Sequence, residues 1–422
     1  MRQIVFAALL GSALAGPALG ESSAPAPGVF IMGQARFTVL APECIRIEYS
    51  TRSLFMDEPS LFAQNRQARF LGYAVEQSTG RLMLDTGRIR LTYTMDGWPL
   101  SIANLKAEIR RGTETITWTP QATDDERVDG VLSRGGWHLV DDSDRPLLRV
   151  ARPAGHGTDW FLFGYGLDYK AALRALAAVT GSKPPDPVSS ARQAAADLRL
   201  PPRLRSILFP YAYASAWQAN ADSLPLLRPL YIEYPAMAEA YLYPQEYLYG
   251  DALLAATGKG RWLPPGDWYD WSSGERIEGP AQPAVKESLY ARGGIPLLMQ
   301  PFTSRLSDAP LKTLVLRAYP GLEAETGRAV LYEGGGGALT NLSYLRQGDR
   351  VRIIVEPTEG SFTGQLQERA YTIELPGAHR ATRAMVERQS VDVAYSAQEK
   401  LNRISLPARD IRQGFTLYVW LP

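Results

Sequence analysis

Acidic residues set among indole rings are the first groups in this sequence with a chemistry to offer. Asp267, Asp270 and Glu275 stand beside Trp262, Trp268, Tyr269 and Trp271 in the stretch RWLPPGDWYDWSSGE. Pyranose C–H faces stack on aromatic rings while carboxylates bond sugar hydroxyls, so this mixture can form a sugar platform. The duller reading is that the rings pack a β-domain. A second acidic cluster, Asp141, Asp142 and Asp144, could contact a sugar or calcium. Calcium loops need regularly spaced oxygen ligands and a turn glycine. That pattern does not follow, so a solvent-exposed turn is the expected role. A third feature is the tyrosine-rich run at 231–249, with Tyr231, Tyr234, Tyr241, Tyr243, Tyr247 and Tyr249. If exposed, such a run marks a surface for a protein partner or a second copy. If it repacks locally, it does not.

Other chemistries find little support. His138, His156 and His379 are far apart, with no pair at i, i+4, so a histidine metal site is not expected. The single cysteine, Cys44, excludes an internal disulfide and reads as a small buried residue near a strand. Gly334 to Gly337 are not followed by Lys-Ser/Thr or by a helix pattern, so they form a linker-like loop and not a phosphate cradle. No cofactor motif is present. With 45 basic and 44 acidic residues, no basic surface for nucleic acid is implied.

The elements that must position these groups are mostly strands. Thirty-seven glycines, 31 prolines, 21 tyrosines and nine tryptophans favour short strands and turns. An apolar stretch at 4–15 follows Arg2, and Ala18 and Gly20 are small residues at −3 and −1. This resembles a signal peptide cleaved before Glu21, which implies an exported protein, periplasmic or extracellular. It is too short to span a membrane securely. From 29 to 152, segments such as ARFTVL, CIRIEYS and GRIRLTYT alternate as strands of a β-sandwich. The stretch 167–180 has helical spacing, with Asp168 as N-cap and Gly181 as terminator. A second helical stretch at 189–217 is interrupted at Pro201-Pro202 and near Pro210. Strands and turns then resume.

Several segments resemble glycoside hydrolase family 31, the α-glucosidase and α-xylosidase family. APECIRIEYS with LFMDEPSLFAQNR is similar to its N-terminal sandwich, as are LTYTMDGWPLSIANL and GVLSRGGWHLVDDS. DWFLFGYGLDYKAALRALAAVTGSKPP resembles the helix entering the family's catalytic barrel, and LRSILFPYAYASAW the helix leaving it. YLYGDALLAA, LPPGDWYDWSSGE and LYARGGIPLL resemble the proximal C-terminal domain. LYEGGGGALTN and GSFTGQLQERAYTIEL resemble the distal one. The segments fall in the family's order and cover nearly the whole chain after the leader.

The departure lies between the two helices. A (β/α)8 barrel needs roughly 250 residues. Here GSKPP and LRSILFP are separated by fewer than twenty. The family's two catalytic aspartates sit on barrel strands in contexts resembling W-x-D-x-x-E and W-x-G-D, and neither context occurs here. No residue therefore inherits a catalytic role. Other in-frame contractions, as at Tyr332-Glu333-Gly334-Gly335, suggest a drifted relative or a gene in decay.

The expected protein is mainly β. Residues 1–20 are a signal peptide and 29–158 an N-terminal β-sandwich, galactose-mutarotase-like by the resemblance. Residues 159–250 are a short helical remnant flanking the deleted barrel. Two C-terminal β-domains follow, a proximal one at 251–325 and a distal one at 326–422. The expected function is that of a non-catalytic family 31 relative that binds carbohydrate, with Trp262, Trp268, Trp271, Asp267 and Asp270 as substrate-binding candidates. An interaction protein using the uncovered barrel interface is the first alternative. Residual O-glycosyl hydrolase activity, with two facing carboxylates recruited anew, is the second.

Overall fold

A computed structural model describes residues 27–422, apart from 68, 183–184, 259, 284–288, 305–310, 378 and 422. The expected leader lies outside the described residues. Among those described, no helix is long and apolar enough to cross a membrane.

The N-terminal part is a sandwich of two antiparallel five-stranded sheets. The first orders Val29–Met32, Ala35–Ala41, Cys44–Tyr49, Thr158–Gly164 and Trp137–Asp141. The second is a meander of Ala74–Ser78, Arg81–Asp85, Ile89–Thr94, Leu105–Arg111 and Glu114–Trp118. Alternation explains the second sheet. Ile89, Leu91 and Tyr93 point inward, while Arg90 and Thr94 face water. They meet Phe37, Val39, Ile45 and Ile47 of the first sheet in one apolar core. Strands Ala35–Ala41 and Cys44–Tyr49 are buried on both faces. Part of their outer face is covered by helix α1 (Tyr169–Thr180), whose Tyr169, Ala172, Ala175 and Val179 pack with Leu40, Cys44, Phe161 and Phe163. Asp168 caps α1 by accepting from Ala171 N, and Gly181 ends it at a φ of 69°. Both match the sequence signals, and Cys44 is buried in a strand as expected.

The rest of that outer face holds buried charge. Arg36 pairs with Glu48 at 2.6 Å, and Arg46 with Glu48 at 2.9 Å. Arg46 also holds Asp159 at 2.8 Å, and Arg66 holds it at 2.6 Å. Arg66 pairs with Asp142 as well, and Arg152 bridges Asp142 and Asp159 at 3.0 and 3.2 Å. This corrects the reading of Asp142 as part of an exposed turn. Asp141 and Asp144 are exposed, but Asp142 is 0% exposed. Trp137–Asp141 ends one residue before Asp142, whose side chain turns back under the sheet to Arg66.

Three helices connect the two halves. They are α2 (Pro187–Asp197), α3 (Pro202–Ile207) and α4 (Phe209–Ala221). Pro202 and Pro210 fall in first turns, where a missing N–H costs nothing. The prolines seen in the sequence thus start helices as well as break them. α2 lies along α4. Among the described residues between α1 and α4 there is no strand, and so no barrel. Among the described residues one strand pair is parallel, and every other pair is antiparallel.

After α4 comes a six-stranded sheet ordered Leu227–Pro229, Glu246–Tyr249, Leu253–Ala256, Leu289–Arg292, Leu263–Asp270 and Arg276–Ala281. Two further sheets face each other. One orders Leu297–Met299, Thr313–Arg317, Glu368–Pro376, Leu401–Asp410 and Ala394–Ser396. The other is seven-stranded and includes Thr326–Glu333, Ala338–Gln347, Arg350–Val355 and Phe415–Trp420. Leu316, Ile373 and Ile404 of the first meet Leu342, Ile353 and Leu417 of the second.

One pairing crosses the expected boundary near 325. Strand Thr313–Arg317 pairs in parallel with Glu368–Pro376, Thr313 opposite Ala370. Strands Leu297–Met299 and Thr313–Arg317 thus share a sheet with Glu368–Pro376. The register is non-local, and no short-range pattern announces it.

Candidate functional site

In the indole-and-acid stretch two of the three indoles face away from solvent. Trp262 and Trp268 are 2% and 0% exposed, packed with Leu230, Leu248, Leu254 and Tyr290. Trp268 Nε1 donates to the Pro264 carbonyl at 2.8 Å. Trp271 is half-buried under the Arg317 guanidinium, 5.2 Å from its ring. Asp267 is buried against Arg276 at 2.6 Å. Asp270 accepts from Ser272 N and Ser273 N, closing the turn between two strands. These acids are committed to their own hairpin.

The tyrosine run is packed too. Tyr249 is fully buried, and the other five are partly buried. Tyr231 stacks on Tyr241, whose hydroxyl meets Tyr169 at 3.0 Å. Tyr234 meets Trp262 edge-on. The exposed large apolar side chain in this run is Leu242. Of the histidines, His138 bonds Asp124, His156 bonds the Ser143 carbonyl and His379 is exposed. No group of three or more His, Cys, Asp or Glu side chains among the described residues could hold a metal.

Glu246 supports this region from below. Both its oxygens lie 3.0 Å from Trp262 N. Burial pushes its carboxyl up to about 7, against the opposing pull of that N–H and of Arg261. Between the ordinary glutamate value and about 7, the fold keeps a proton that the unfolded chain has released. Stability should therefore fall as pH rises through this window. Glu246→Gln, which mimics the protonated form, is expected to flatten the slope, removing about 2 kcal/mol of pH dependence after solvent screening. Urea unfolding of both proteins across the window checks this.

A cleft of about 280 Å³ lies elsewhere, where α1 and α4 meet the C-terminal sheets. Its floor is set by Tyr211 of α4. The Tyr211 hydroxyl donates to the Tyr249 carbonyl and accepts from Ala252 N at 3.0 Å, fixing the turn 250–252. Gly250 has a φ of +60°, and a Cβ there would sit 2.4 Å from the Tyr211 hydroxyl and 2.5 Å from Ser215 Oγ. Only glycine suits both demands. Tyr211→Phe leaves the buried Ala252 N–H without this partner and removes the hydroxyl's bond to the Tyr249 carbonyl. It is expected to cost about 1–3 kcal/mol, read as a lower denaturant midpoint with an unchanged m-value.

Arg228 forms one wall. It donates through Nη2 to the Gly250 carbonyl at 2.9 Å and to Asp251 at 2.5 Å. Lys170 of α1 holds Glu233 at 2.6 Å. The far wall is Tyr332, stacked on Trp217 with ring centroids 3.9 Å apart. The glycine run closes over that stack. Gly334, Gly335 and Gly336 all have positive φ, and a Cβ on Gly336 would be 2.4 Å from Trp217 Nε1. The expected loose linker is thus a tight cover. The cleft has two carboxylates, Asp222 and Asp251. Gln218 donates to Asp222 at 2.9 Å and Arg228 pairs with Asp251, so both are engaged. None of these cleft residues stood out as a binding candidate in the sequence. The glycine run and the helix ending near Trp217 were visible separately, but their contact was not.

Comparisons with known proteins agree on ancestry. The family model described as the glycosyl hydrolase family 31 C-terminal domain matches residues 223–301. An α-xylosidase of Saccharolobus solfataricus is 24% identical over 220 residues, covering 47% of this chain and 29% of that protein. A probable α-glucosidase of Oryza sativa is 32% identical over 150 residues, covering 31% of this chain and 17% of that protein. The chain spans less than a third of the length of these curated relatives. Among solved structures, a family 31 dextranase of Flavobacterium johnsoniae complexed with glucose aligns at a TM-score of 0.69 and 11% identity, covering 93% of this chain and 98% of that chain. That likeness speaks to the fold. The ordered sequence segments, the matched C-terminal domain and the sequence relatives make this chain a relative of glycoside hydrolase family 31, and its described residues form β-sheets with no barrel of parallel strands.

Proposed function

We propose that this protein is an exported, non-catalytic, carbohydrate-binding member of the family 31 lineage, and that the cleft beside α4 is where the sugar lies. The observation that carries this is the cleft's make-up. Tyr332, stacked from behind by Trp217, lines the cleft together with Arg228, Tyr211, Ser215 and Gln218. Aromatic surface and bonding groups of this kind suit a pyranose. Both acids already have partners, whereas a retaining glycosidase needs one carboxyl free to attack and one to donate a proton, about 5 Å apart. The relatives named α-xylosidase, α-glucosidase and dextranase support a sugar as ligand. The docking alternative at 231–249 has no contiguous exposed apolar face to rest on.

Titration calorimetry with a glycan panel, run beside an assay with aryl α-glycosides, tests the reading. Binding without turnover is the expected result. Turnover that disappears in Asp222→Ala or Asp251→Ala would show the non-catalytic part to be wrong.

A further inference from the structure

We infer that the cleft selects an acidic sugar, one carrying a carboxylate or a sulfate, over a neutral one; this rests on the cleft being the sugar site. The chain as a whole is nearly neutral, at +1. The cleft is not. Lys170, Arg174, Arg228 and Arg328 line it against Asp222 and Asp251 alone.

The partners of these cations sharpen the point. Lys170 is neutralised by Glu233, and Arg228 by Asp251. Arg174 feels Glu43, whose own carboxyl lies 3.5 Å from Arg88. Arg328 is an exposed residue on strand Thr326–Glu333 at the cleft rim.

Arg228 supplies buried positive charge in the cleft wall. It is 6% exposed, yet its Nε has no hydrogen-bond partner. Two carboxylates attend this guanidinium, Asp251 at 2.5 Å from Nη2 and Glu233 at 3.9 Å from Nε. The Arg228 charge is held in the cleft wall, where little solvent screens it from an anion in the cleft. The two exposed arginines add attraction that a neutral sugar cannot use, and that salt screens.

The test is calorimetric titration of the full chain with short oligogalacturonates, sulfated dextran fragments, neutral maltooligosaccharides and unsulfated dextran. At least one acidic series is expected to bind about tenfold or more tightly than its neutral counterpart, and to weaken steeply as salt rises. Which acidic series binds identifies the anion. Arg328→Gln and Arg174→Gln, both exposed and expected to leave the melting temperature unchanged, should each weaken acidic binding several-fold and spare any neutral binding. Equal binding of neutral and acidic sugars, or acidic binding indifferent to both substitutions, overturns this inference and leaves the sugar-site reading standing. No binding in any series overturns both.

Discussion

Asp159→Ala is expected to destabilise the protein by about 3–5 kcal/mol, the usual cost of removing one partner from a buried ion pair. Asp159 touches Arg46, Arg66 and Arg152 at once. Its loss leaves three guanidinium groups under the sheet with too little negative charge. Domains are stable by only about 5–15 kcal/mol, so the variant should unfold at a much lower urea concentration. The wild-type protein should show the same dependence through pH. Burial alone would push Asp159 up, but Arg46 and Arg66 outweigh it and hold its carboxyl well below the usual range. A carboxyl depressed in the fold stabilises it above the ordinary aspartate value, and that contribution is lost as pH falls through the folded value. Asp142 runs the other way, because burial pushes it up despite Arg66. Acid unfolding of wild type and Asp159→Asn, compared side by side, isolates the Asp159 part. If the two proteins lose stability in parallel as pH falls, the network does not work as described.

The second large effect concerns Trp268. Trp268→Ala is expected to cost about 3–5 kcal/mol, because it removes a fully buried indole from a packed cluster. The variant should melt early and lose its near-ultraviolet signal, while any folded fraction binds sugar as the parent does. A sugar-platform tryptophan would behave in the opposite way, keeping stability and losing affinity. Measuring melting temperature and glycan affinity on the same variant therefore separates the core reading from the platform reading. Trp217→Ala makes the contrast from the other side. Trp217 is half-buried and stacks on Tyr332, which lines the cleft, so its loss frees that ring and should weaken binding by more than it lowers stability.

Much of this fold was readable from local signals. Period-two alternation marked the meander, because one of its faces is wet. Asp168 and Gly181 marked both ends of α1, because caps are chosen by short-range bonding. The short span between the two flanking helices excluded a barrel by length alone. The failures share a cause. Asp142 was assigned to solvent because its partners, Arg66 and Arg152, come from elsewhere in the chain. Trp262, Trp268, Asp267 and Asp270 looked like a site because composition does not reveal which way a side chain points in a strand buried on both faces. The cleft was invisible because it is assembled from α1, α4, the turn at 250–252 and strand Thr326–Glu333, which are distant in sequence.

The parallel pairing of Thr313–Arg317 with Glu368–Pro376 has a temporal side. The three strands between 326 and 355 belong to the opposing sheet, so the chain leaves one sheet, builds much of another, and then returns. During synthesis the segment at 313–317 emerges well before its partner at 368–376, and Leu401–Asp410 later still. Until then one edge of this strand can join Leu297–Met299, but the edge that takes Glu368–Pro376 stays open. Pairing across such a separation is slow, and waiting edges attract foreign strands. The half-made C-terminal sandwich is thus the stage at which a nascent chain most needs a chaperone.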